Sequence, residues 1–435
     1  MTPHAILFVL ESFLPDHRAG TEIYVLNLCR YFKAKGWRVG VLIATINQQK
    51  DYSYEGIPVY TFPIPEKPNS RELNGLMPPR GIEDFMERIE DLKPDLVHFH
   101  SFGRAINGHH LKRTKELGHI TAFTPHLASL FCIKGNMRLF DKTNCNGRVI
   151  QSRCMSCLLH SKGYDYTVSK ALGSGLSAAM KIEFLEKAMA PSWHQAKHRS
   201  EELQRISTYA DVIFAIAPWV QKAFNENRIT NSILVPQGIS PVFFEDLNRQ
   251  ESFNPSAINF VFIGRMHPIK GFHFLKEAWD KLQTKGHKLH IITNPSRDEN
   301  EYFHTNKLWA TQEHSIIWNE GFSQQKVASY LDAMDVLILP SISEVAPLVM
   351  LEAATRRIPV IASDFIGVKD LIVPNVTGLL FKNGDWEDLL LQLNKISDKP
   401  ELLSQLGENI QMPATMTHVA ALIEEEFSKL ISNSN

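Results

Sequence analysis

The 435-residue sequence has almost no net charge, because 46 basic and 47 acidic residues give a formal value of −1. Such a balance provides no general field for binding nucleic acid. No window of about 18 apolar residues is present, so the sequence predicts no membrane-spanning helix. The first apolar run, at residues 5–10, is too short for a signal peptide and lacks a basic flank. We therefore expect a cytoplasmic protein that binds no nucleic acid.

Cysteine is scarce, with five in the chain, and four of these fall within residues 132–157. The last two form a C-x2-C pair, a spacing that lets one turn place both sulfurs on one ion. In a reducing compartment, this clustering favours a metal ion or free thiols over disulfides. A structural zinc site, a site for another metal and reduced thiols all stay open as interpretations. The candidate zinc ligands are Cys132, Cys145, Cys154 and Cys157.

Strand and helix patterns alternate along most of the chain. The apolar run at residues 5–10 predicts a buried strand, and the apolar stripe at residues 25–32 predicts an amphipathic helix capped by Thr21. Repeated units of this kind indicate an α/β fold with doubly wound parallel sheets. Ligands of such sheets bind outside the carboxyl ends of the strands, where we expect Gly20 and His126.

Both of these residues have a simpler interpretation. Gly20 stands where a glycine loop would follow the first strand, but no G-x-G-x-x-G is present and an ordinary turn explains it equally well. His126 follows a predicted strand, and a histidine satisfied by the backbone is the alternative to a functional one.

Residues 127–200 break the alternation of strands and helices. Within residues 130–200, eleven basic residues stand against four acidic ones, with leucine and phenylalanine interleaved. This composition fits contact with an anionic membrane surface, or guidance of a phosphorylated acceptor. A solvated helical insertion without a ligand is the alternative.

The alternation restarts at residue 259, after a polar linker predicted at residues 240–257. Arg265 and Lys270 lie on the first strand-to-helix turn, and two cations there fit a diphosphate. Taken alone, this turn would be interpreted as a basic surface loop. A second turn in the same half of the chain favours phosphate binding over a simple surface loop.

That second turn follows the apolar run at residues 336–339 and leads into a helix that Pro347 is predicted to begin. The N-terminus of a helix attracts anions through its free N–H groups and its dipole. Glu344 precedes this N-terminus and Glu352 follows it. The arrangement suits a ligand with phosphate in its middle and hydroxyls at both ends, such as a nucleotide-sugar.

With these motifs, the chain resembles the retaining glycosyltransferases of family 4. Glu344 and Glu352 match the E-x7-E motif of that family, and residues 264–271 match its G-R…K-G loop. Residues 19–22 resemble its G-G-x-E loop, with Ala19 in place of the first glycine. The resemblance covers nearly the whole chain.

The resemblance implies a GT-B fold of two facing Rossmann-like domains. An N-terminal acceptor-side domain would occupy residues 1–238 and contain the cysteine-rich, basic insertion at 127–200. A C-terminal donor-binding domain would occupy residues 239–412. A terminal helix within residues 413–435 is expected to cross back to the N-terminal domain.

The implied activity is transfer of a hexose, with retention and without a metal ion in the chemistry. The donor would be a nucleotide-diphosphate-sugar and the acceptor a glycan or lipid-linked molecule, in cell-surface polysaccharide synthesis at the inner face of the plasma membrane. A nucleotide-sugar epimerase, a phosphorylase and an inactive nucleotide-sugar-binding subunit are the alternatives. The implied catalytic residues are Arg265, Lys270, Glu344 and His126, and the implied donor-binding residues are Gly20, Gly264, Pro347, Leu348, Val349 and Glu352.

The sequence departs from the family pattern in several places. Leu127 stands where many relatives have aspartate after the histidine, and Arg357 stands where a glycine is usual. Ile366 and Asp370 replace a glycine and a glutamate of another loop. These departures leave the diphosphate motifs intact, but they weaken any prediction of the base, the sugar or the acceptor.

Overall fold

A computed structural model describes residues 4–17, 19–46, 50–74, 76–245, 257–283, 286–293 and 301–434. Residues 246–256 of the predicted linker and Arg18 lie outside the described residues. The chain divides into two compact units, of which the first is Met1–Pro236 with Met416–Asn435 and the second is Gln237–Thr415.

The first unit contains one large sheet and a small hairpin. Its strands are β1 (Ala5–Leu10), β2 (Arg38–Thr45), β3 (Tyr52–Tyr54), β4 (Ile57–Pro63), β5 (Leu96–His100), β6 (Ile120–Thr124), β7 (Arg138–Leu139), β8 (Thr143–Asn144), β9 (Val212–Ala215) and β10 (Ser232–Leu234). Its helices are α1 (Gly20–Ala34), α2 (Ser70–Leu73), α3 (Ile82–Leu92), α4 (Gly108–Glu116), α5 (Gln151–Ser161), α6 (Tyr166–Ala179), α7 (Glu183–Ala188), α8 (Gln195–Tyr209), α9 (Pro218–Glu226) and the C-terminal helix described below.

The large sheet has the order β10-β9-β6-β5-β1-β2-β4-β3. Every described neighbour pair is parallel apart from β3 with β4. The central strand β1 is buried along its whole length, and α1 covers it with a buried stripe that includes Val25, Leu28 and Phe32. The insertion forms the hairpin of β7 and β8 and the helices α5 to α8, which stand between β6 and β9 in sequence.

The second unit is a smaller doubly wound domain. Its strands are β11 (Asn259–Ile263), β12 (Lys288–Thr293), β13 (Ile316–Glu320), β14 (Val336–Leu339), β15 (Val360–Ser363) and β16 (Gly378–Phe381). Its helices are α10 (Phe272–Lys281), α11 (Glu301–Gln312), α12 (Gln324–Leu331), α13 (Leu348–Ala354), α14 (Trp386–Asp398) and α15 (Glu401–Glu408).

The second sheet has the order β13-β12-β11-β14-β15-β16, and its described strand pairs are all parallel. Two clusters of buried apolar side chains cover its two faces, one around Phe260, Leu275 and Leu393, the other around Leu337 and Met350. The predicted α/β class with doubly wound parallel sheets is confirmed in both units.

The last helix, α16 (Met416–Ser434), completes the core of the first unit. Its Phe427 is fully buried, with ring centroids 5.9 Å from Phe32 and 5.7 Å from Phe214. Tyr31 of α1 donates a hydrogen bond to Glu424 Oε2 at 2.7 Å. The helix is therefore a structural part of the first unit, although 179 residues of the second unit, Gln237–Thr415, precede it in sequence.

Replacement of Phe427 by alanine is expected to destabilise the first unit by about 3–5 kcal/mol, because it removes a buried ring and leaves a cavity. Urea denaturation followed by tryptophan fluorescence would measure the change. Ser428→Ala, on the exposed side of the same helix, is the matched control and should change stability by less than about 0.5 kcal/mol. Equal stability of the two variants would show that α16 does not hold this core.

Candidate functional site

Two loops meet at the switch point of the second sheet. The chain passes from β11 to β12 on one side and later places β14 on the other side of β11. Ligands of open α/β sheets bind outside the carboxyl ends of the strands at such a point. The loop after β11, residues 264–271, is here named the basic loop. The loop after β14, residues 340–347, is named the acidic loop.

The backbone of the basic loop is pressed against the start of the acidic loop at Gly271. This glycine has a φ of +66°, and a Cβ there would lie 1.9 Å from the carbonyl oxygen of Pro340. Only glycine fits that approach without displacing the backbone. The Ile342 N–H also donates to the Ile269 carbonyl at 2.8 Å. The two loops are therefore fixed to each other by main-chain contacts.

This contact brings a cation and a carboxylate of the two motifs together. Lys270 Nζ lies 2.9 Å from Glu344 Oε2, and the two side chains are only 19% and 14% exposed. Ser341 Oγ donates to the other carboxylate oxygen, Oε1, at 2.6 Å. The Lys270 ammonium and the Glu344 carboxylate are thus held in place without a ligand, and an incoming anion would compete with Glu344 for Lys270.

The basic loop concentrates further positive charge. Arg265 is exposed, and in the described part of the chain no carboxylate is recorded within ion-pair distance of it. The pKa of His267 is lowered first by burial and then by the charges of Arg265 and Lys270. Burial and the two neighbouring cations therefore favour the neutral form of His267. Arg265, which has no carboxylate partner among the described residues, remains available for an anion.

The acidic loop ends at the helix α13. This helix begins at Leu348 with Pro347 as its N-cap residue, so Pro347 lies one position before the first helical residue, where the sequence had predicted it to be that residue. No side chain caps the helix. The first N–H groups, those of Leu348 and Val349, have no intrahelical acceptor, and the helix dipole places partial positive charge there. Gly264 differs, because its N–H already donates to the Ile292 carbonyl at 3.0 Å.

Glu352 lies in the same helix as Leu348 and Val349. Its side chain is partly buried, and this burial raises the pKa of the carboxyl to about 7. Near neutral pH the group is therefore present in both protonation states. It can accept a hydrogen bond from a hydroxyl as the carboxylate, or donate one as the acid.

In the first unit, α1 begins at Gly20, and Ala19 is its N-cap residue. The prediction that Thr21 caps this helix was therefore wrong. Glu22 Oε2 instead accepts a hydrogen bond from the Ala19 N–H at 3.0 Å, and its Oε1 lies 3.0 Å from His17 Nδ1. Alanine has no side-chain oxygen that could cap the helix, so the carboxylate three residues later satisfies the N–H of the N-cap residue instead.

His126 is partly buried and belongs to a histidine cluster at the carboxyl ends of β5 and β6. Its Nε2 lies 3.1 Å from His100 Nδ1, and its backbone N–H donates to Ser101 Oγ at 2.6 Å. The ring of Tyr24 packs edge-on against it with centroids 4.9 Å apart. Burial lowers the pKa of His126 to about 3. His126 is therefore a neutral hydrogen-bonding group near pH 7.

The structure thus groups the predicted residues by unit. Arg265, Lys270, Glu344 and the start of α13 share the switch point of the second sheet, whereas Gly20 and His126 follow strands of the first. Ser341 and Ser101 support these groups and were not predicted as part of the site, whereas Gly271 belongs to the predicted G-R…K-G loop and His100 was expected at the same strand ends as His126. A histidine at the end of β5 was visible in the sequence, but the backbone approach at Gly271 has no sequence signal beyond the glycine itself.

The four clustered cysteines come from the loop after β6, the turn after β8 and the helix α5. Cys157 Sγ accepts a hydrogen bond from the Phe140 N–H at 3.1 Å. Burial raises the pKa of Cys154 to about 11, and Cys145 and Cys132 lie near enough to add to this effect. Among the described residues, however, no three side chains of His, Cys, Asp or Glu form a group that could hold a metal ion. Zinc binding stays a prediction.

Two family models match the chain. The model for Glycosyltransferase Family 4 matches residues 18–143, and the model for Glycosyl transferases group 1 matches residues 243–412. The two matches together cover more than half of the chain, and the second contains both the basic and the acidic loop.

Curated relatives are similar at lower coverage. The putative teichuronic acid biosynthesis glycosyltransferase TuaC of Bacillus subtilis is 27% identical over 229 residues, which are 50% of this chain and 56% of that protein. The capsular polysaccharide biosynthesis glycosyltransferase CapM of Staphylococcus aureus is 25% identical over 180 residues, 40% of this chain and 46% of that protein. The chain thus spans about half the length of the curated relatives it matches.

Solved structures match over nearly the whole chain. Sucrose-phosphate synthase from Thermosynechococcus elongatus has a TM-score of 0.67 at 17% identity and covers 99% of this chain and 100% of its own. HepE of Anabaena, solved in complex with UDP and glucose, has a TM-score of 0.62 at 14% identity and covers 98% of this chain and 100% of its own. At such identities the likeness concerns the fold, and it confirms the predicted GT-B class.

Replacement of Gly271 by alanine is expected to destabilise the second unit by several kcal/mol, since the Cβ would collide with Pro340 in addition to the strain of a positive φ. Gly286→Ala is the matched control, because Gly286 also has a positive φ of +86° but a Cβ there would come no closer than 3.9 Å to another atom. Urea denaturation would compare the two. A similar loss of stability in both variants would contradict the close approach of the loops.

Glu352→Gln is expected to change how stability depends on pH. In the folded protein the carboxyl pKa is about 7, above its ordinary value of 4.5, so the folded state holds more protons than the unfolded state between these values. Stability contributed at this position therefore falls as the pH rises from 4.5 to 7. The glutamine variant should lose that part of the decline, as measured by urea denaturation at pH 5 and pH 8. The exposed Glu408→Gln is the control, and an unchanged pH dependence in Glu352→Gln would contradict the raised pKa.

Proposed function

Because the chain belongs to the glycosyltransferases that these two family models describe, we propose that it transfers a sugar from a nucleotide-diphosphate-sugar to a glycan or lipid-linked acceptor. The proposed setting is the synthesis of a cell-surface polysaccharide. The relatives named for capsular polysaccharide and teichuronic acid synthesis support that setting.

One observation carries the proposal. The basic and acidic loops are fixed together at the switch point of the second sheet, with Lys270 and Glu344 in contact and the uncapped start of α13 directly after the acidic loop. Two cations and a helix N-terminus are suited to a diphosphate. A carboxylate before the helix and another within it are suited to hydroxyl groups.

These residues have distinct proposed roles. Arg265 and Lys270 would bind the diphosphate and stabilise the charge that develops on it as the sugar leaves. The N–H groups of Leu348 and Val349 would contact phosphate or sugar oxygens, and Gly264 would let the chain approach the phosphates. Glu344 would accept hydrogen bonds from the hydroxyls of the transferred sugar.

The other end of the donor is assigned to Glu352, which would bind the ribose. Gly20 and His126 are proposed from the resemblance alone, Gly20 for approach of its loop to the donor and His126 for contact with the transferred sugar. A neutral His126 would donate or accept a hydrogen bond there and would add no positive charge.

The proposed chemistry is retaining. The bond from the anomeric carbon to the diphosphate oxygen breaks while the acceptor oxygen attacks the same face of the sugar. The acceptor proton passes to the leaving phosphate. A covalent sugar–enzyme intermediate is not proposed, since no carboxylate of the motifs has the role of a nucleophile. Analysis of the anomeric configuration of the product by NMR would test retention.

No metal ion is proposed for the reaction. Arg265, Lys270 and the helix dipole supply the positive charge that a divalent cation supplies in other transferases. Transfer should therefore continue at an unchanged rate in excess EDTA. A lipid-linked acceptor would bring the enzyme to the inner face of the plasma membrane, so the proposal includes peripheral contact with anionic lipid. No described helix is both long and apolar enough to cross a membrane.

The central test replaces Arg265 and Lys270 separately by alanine. UDP, GDP and ADP are first screened by thermal shift, since a ligand at about 100 times its Kd stabilises by roughly 2.7 kcal/mol. Each variant is then expected to lose this shift and to release sugar from the matching nucleotide-sugar about 10²–10³-fold more slowly. Lys281→Ala, an exposed lysine at the end of α10, is the control.

Without nucleotide, Arg265→Ala should melt as the parent does, because Arg265 is exposed. Lys270→Ala should melt at a lower temperature, because the largely buried Glu344 loses its ion-pair partner and keeps only the hydrogen bond from Ser341. Normal donor turnover in both variants would refute the assignment. Conversion of the donor sugar to its epimer, without hydrolysis or transfer, would instead identify an epimerase.

A further inference from the structure

Within the insertion, α6 is packed on one side only. Ser169 and Gly173 are buried, and a Cβ on Gly173 would lie 2.2 Å from Ser156 Oγ of α5. This close helix–helix approach uses one face of α6. Val168 and Leu172, one turn apart, remain exposed beyond that contact.

The following helix, α7, has no buried residue at all. It nevertheless carries large apolar side chains, with Phe184 79% exposed and Leu185 also exposed, and Ile182 just before the helix is 55% exposed. A single exposed leucine is ordinary on a protein surface, whereas a set of apolar side chains on consecutive helices indicates an interaction surface. The apolar surface of α6 and α7 is defined here by Val168, Leu172, Ile182, Phe184 and Leu185.

Lysines accompany this surface, and the nearby acids are already engaged. Asp165 caps α6 by accepting from the Thr167 N–H at 2.8 Å, Glu183 pairs with Lys187 at 2.6 Å, and Glu186 pairs with Lys197. Three exposed lysines remain, and the structure records no carboxylate partner for them among the residues it describes: Lys162, Lys170 and Lys181. The Lys170 ammonium instead lies 4.5 Å from the centre of the Tyr166 ring.

We propose that the apolar surface of α6 and α7, with Lys162, Lys170 and Lys181, binds the interfacial layer of an anionic lipid membrane. Apolar side chains enter the boundary between headgroups and acyl chains, and lysines reach the phosphates around them. Exposed Tyr164 and Tyr166 suit the same layer, because tyrosine has an apolar ring and a polar tip.

Charge favours the membrane over a second copy of the chain. A symmetric dimer through this surface would bring the three unpaired lysines of one copy towards those of the other, and like charges repel. An anionic bilayer satisfies the lysines and the apolar side chains together. The inference rests on the membrane setting of the proposed function and names the surface that makes the contact.

Flotation of the full chain with vesicles tests this surface. Phosphatidylcholine vesicles, with and without about one third phosphatidylglycerol, would be compared at low and high salt. Binding to the anionic vesicles is expected, with at least a tenfold loss in Phe184→Ser. Leu391→Ser, which replaces a 65% exposed leucine of the second unit, is the matched control and should bind as the parent does.

The lysines are tested by charge reversal. The triple variant Lys162→Glu, Lys170→Glu, Lys181→Glu should lose its preference for anionic vesicles, whereas Lys399→Glu should keep it. Absence of parental binding, or parental binding by both the Phe184→Ser and the triple variant, would overturn the proposal. A dimer in light scattering that Phe184→Ser dissociates, without vesicle binding by the parent, would assign the surface to a second copy and also overturn it.

Nucleotide-dependent thermal shifts of the same variants separate this proposal from the proposed activity. The shifts should be unchanged, since the donor residues lie in the second unit, and they also show that each variant is folded. Vesicle binding without any nucleotide response would support the membrane surface and count against the transferase.

Discussion

The contact between Gly271 and the Pro340 carbonyl is the constraint on which the rest of the candidate donor site depends. It fixes the loop after β11 against the loop after β14, and the main-chain hydrogen bond from Ile342 to Ile269 closes the same junction. The Lys270–Glu344 ion pair lies beside this junction, because Lys270 directly precedes Gly271 and Glu344 follows Pro340 by four residues. The glycine is thus required for its missing side chain, while the chemistry belongs to its neighbours. The adjacent residues Lys270 and Gly271 therefore supply the charged group and the close backbone approach, respectively.

The ion pair also shapes how an anion would enter. Lys270 already pairs with Glu344, so on binding a diphosphate it would exchange the carboxylate oxygens for phosphate oxygens. The free-energy cost of removing the Lys270 ammonium from water is already included in the folded protein. Arg265 is exposed and has no such partner among the described residues. It could therefore attract a diphosphate without first giving up an ion pair. If Lys270 turned to a phosphate, Glu344 would still accept the hydrogen bond from the Ser341 hydroxyl. That bond would keep the carboxylate oriented, as its proposed role in binding sugar hydroxyls requires.

The sequence could predict what depends on local pattern. Apolar runs identified β1, β11 and β14, and the helical stripe identified α1. Pro347 after the apolar run at residues 336–339 identified a turn into a helix. The sequence did not identify α4 or α11, because α4 is rich in histidine, lysine and arginine and α11 has only weak separation of its polar and apolar faces. The sequence predicted Thr21 as the N-cap of α1, because a hydroxyl side chain is favoured at that position. In the structure Ala19 is the N-cap, and Glu22 accepts a hydrogen bond from its N–H. The pairing of Lys270 with Glu344, 74 positions apart, is a property of sheet order and has no local signal.

The histidine cluster of the first unit shows why residue type alone does not assign a catalytic role. His98, His100 and His126 are close together, and burial lowers the pKa of each, with the neighbouring rings adding to the effect for His98 and His100. Three adjacent imidazoles cannot all be charged in so dry an environment, because each charge would lose its hydration and repel the next. The cluster therefore works as a set of neutral hydrogen-bonding groups, in which His100 fixes the orientation of the His126 ring. In the proposed reaction, positive charge for a leaving diphosphate would therefore come from Arg265, Lys270 and the start of α13, whereas a neutral His126 would contribute only hydrogen bonds.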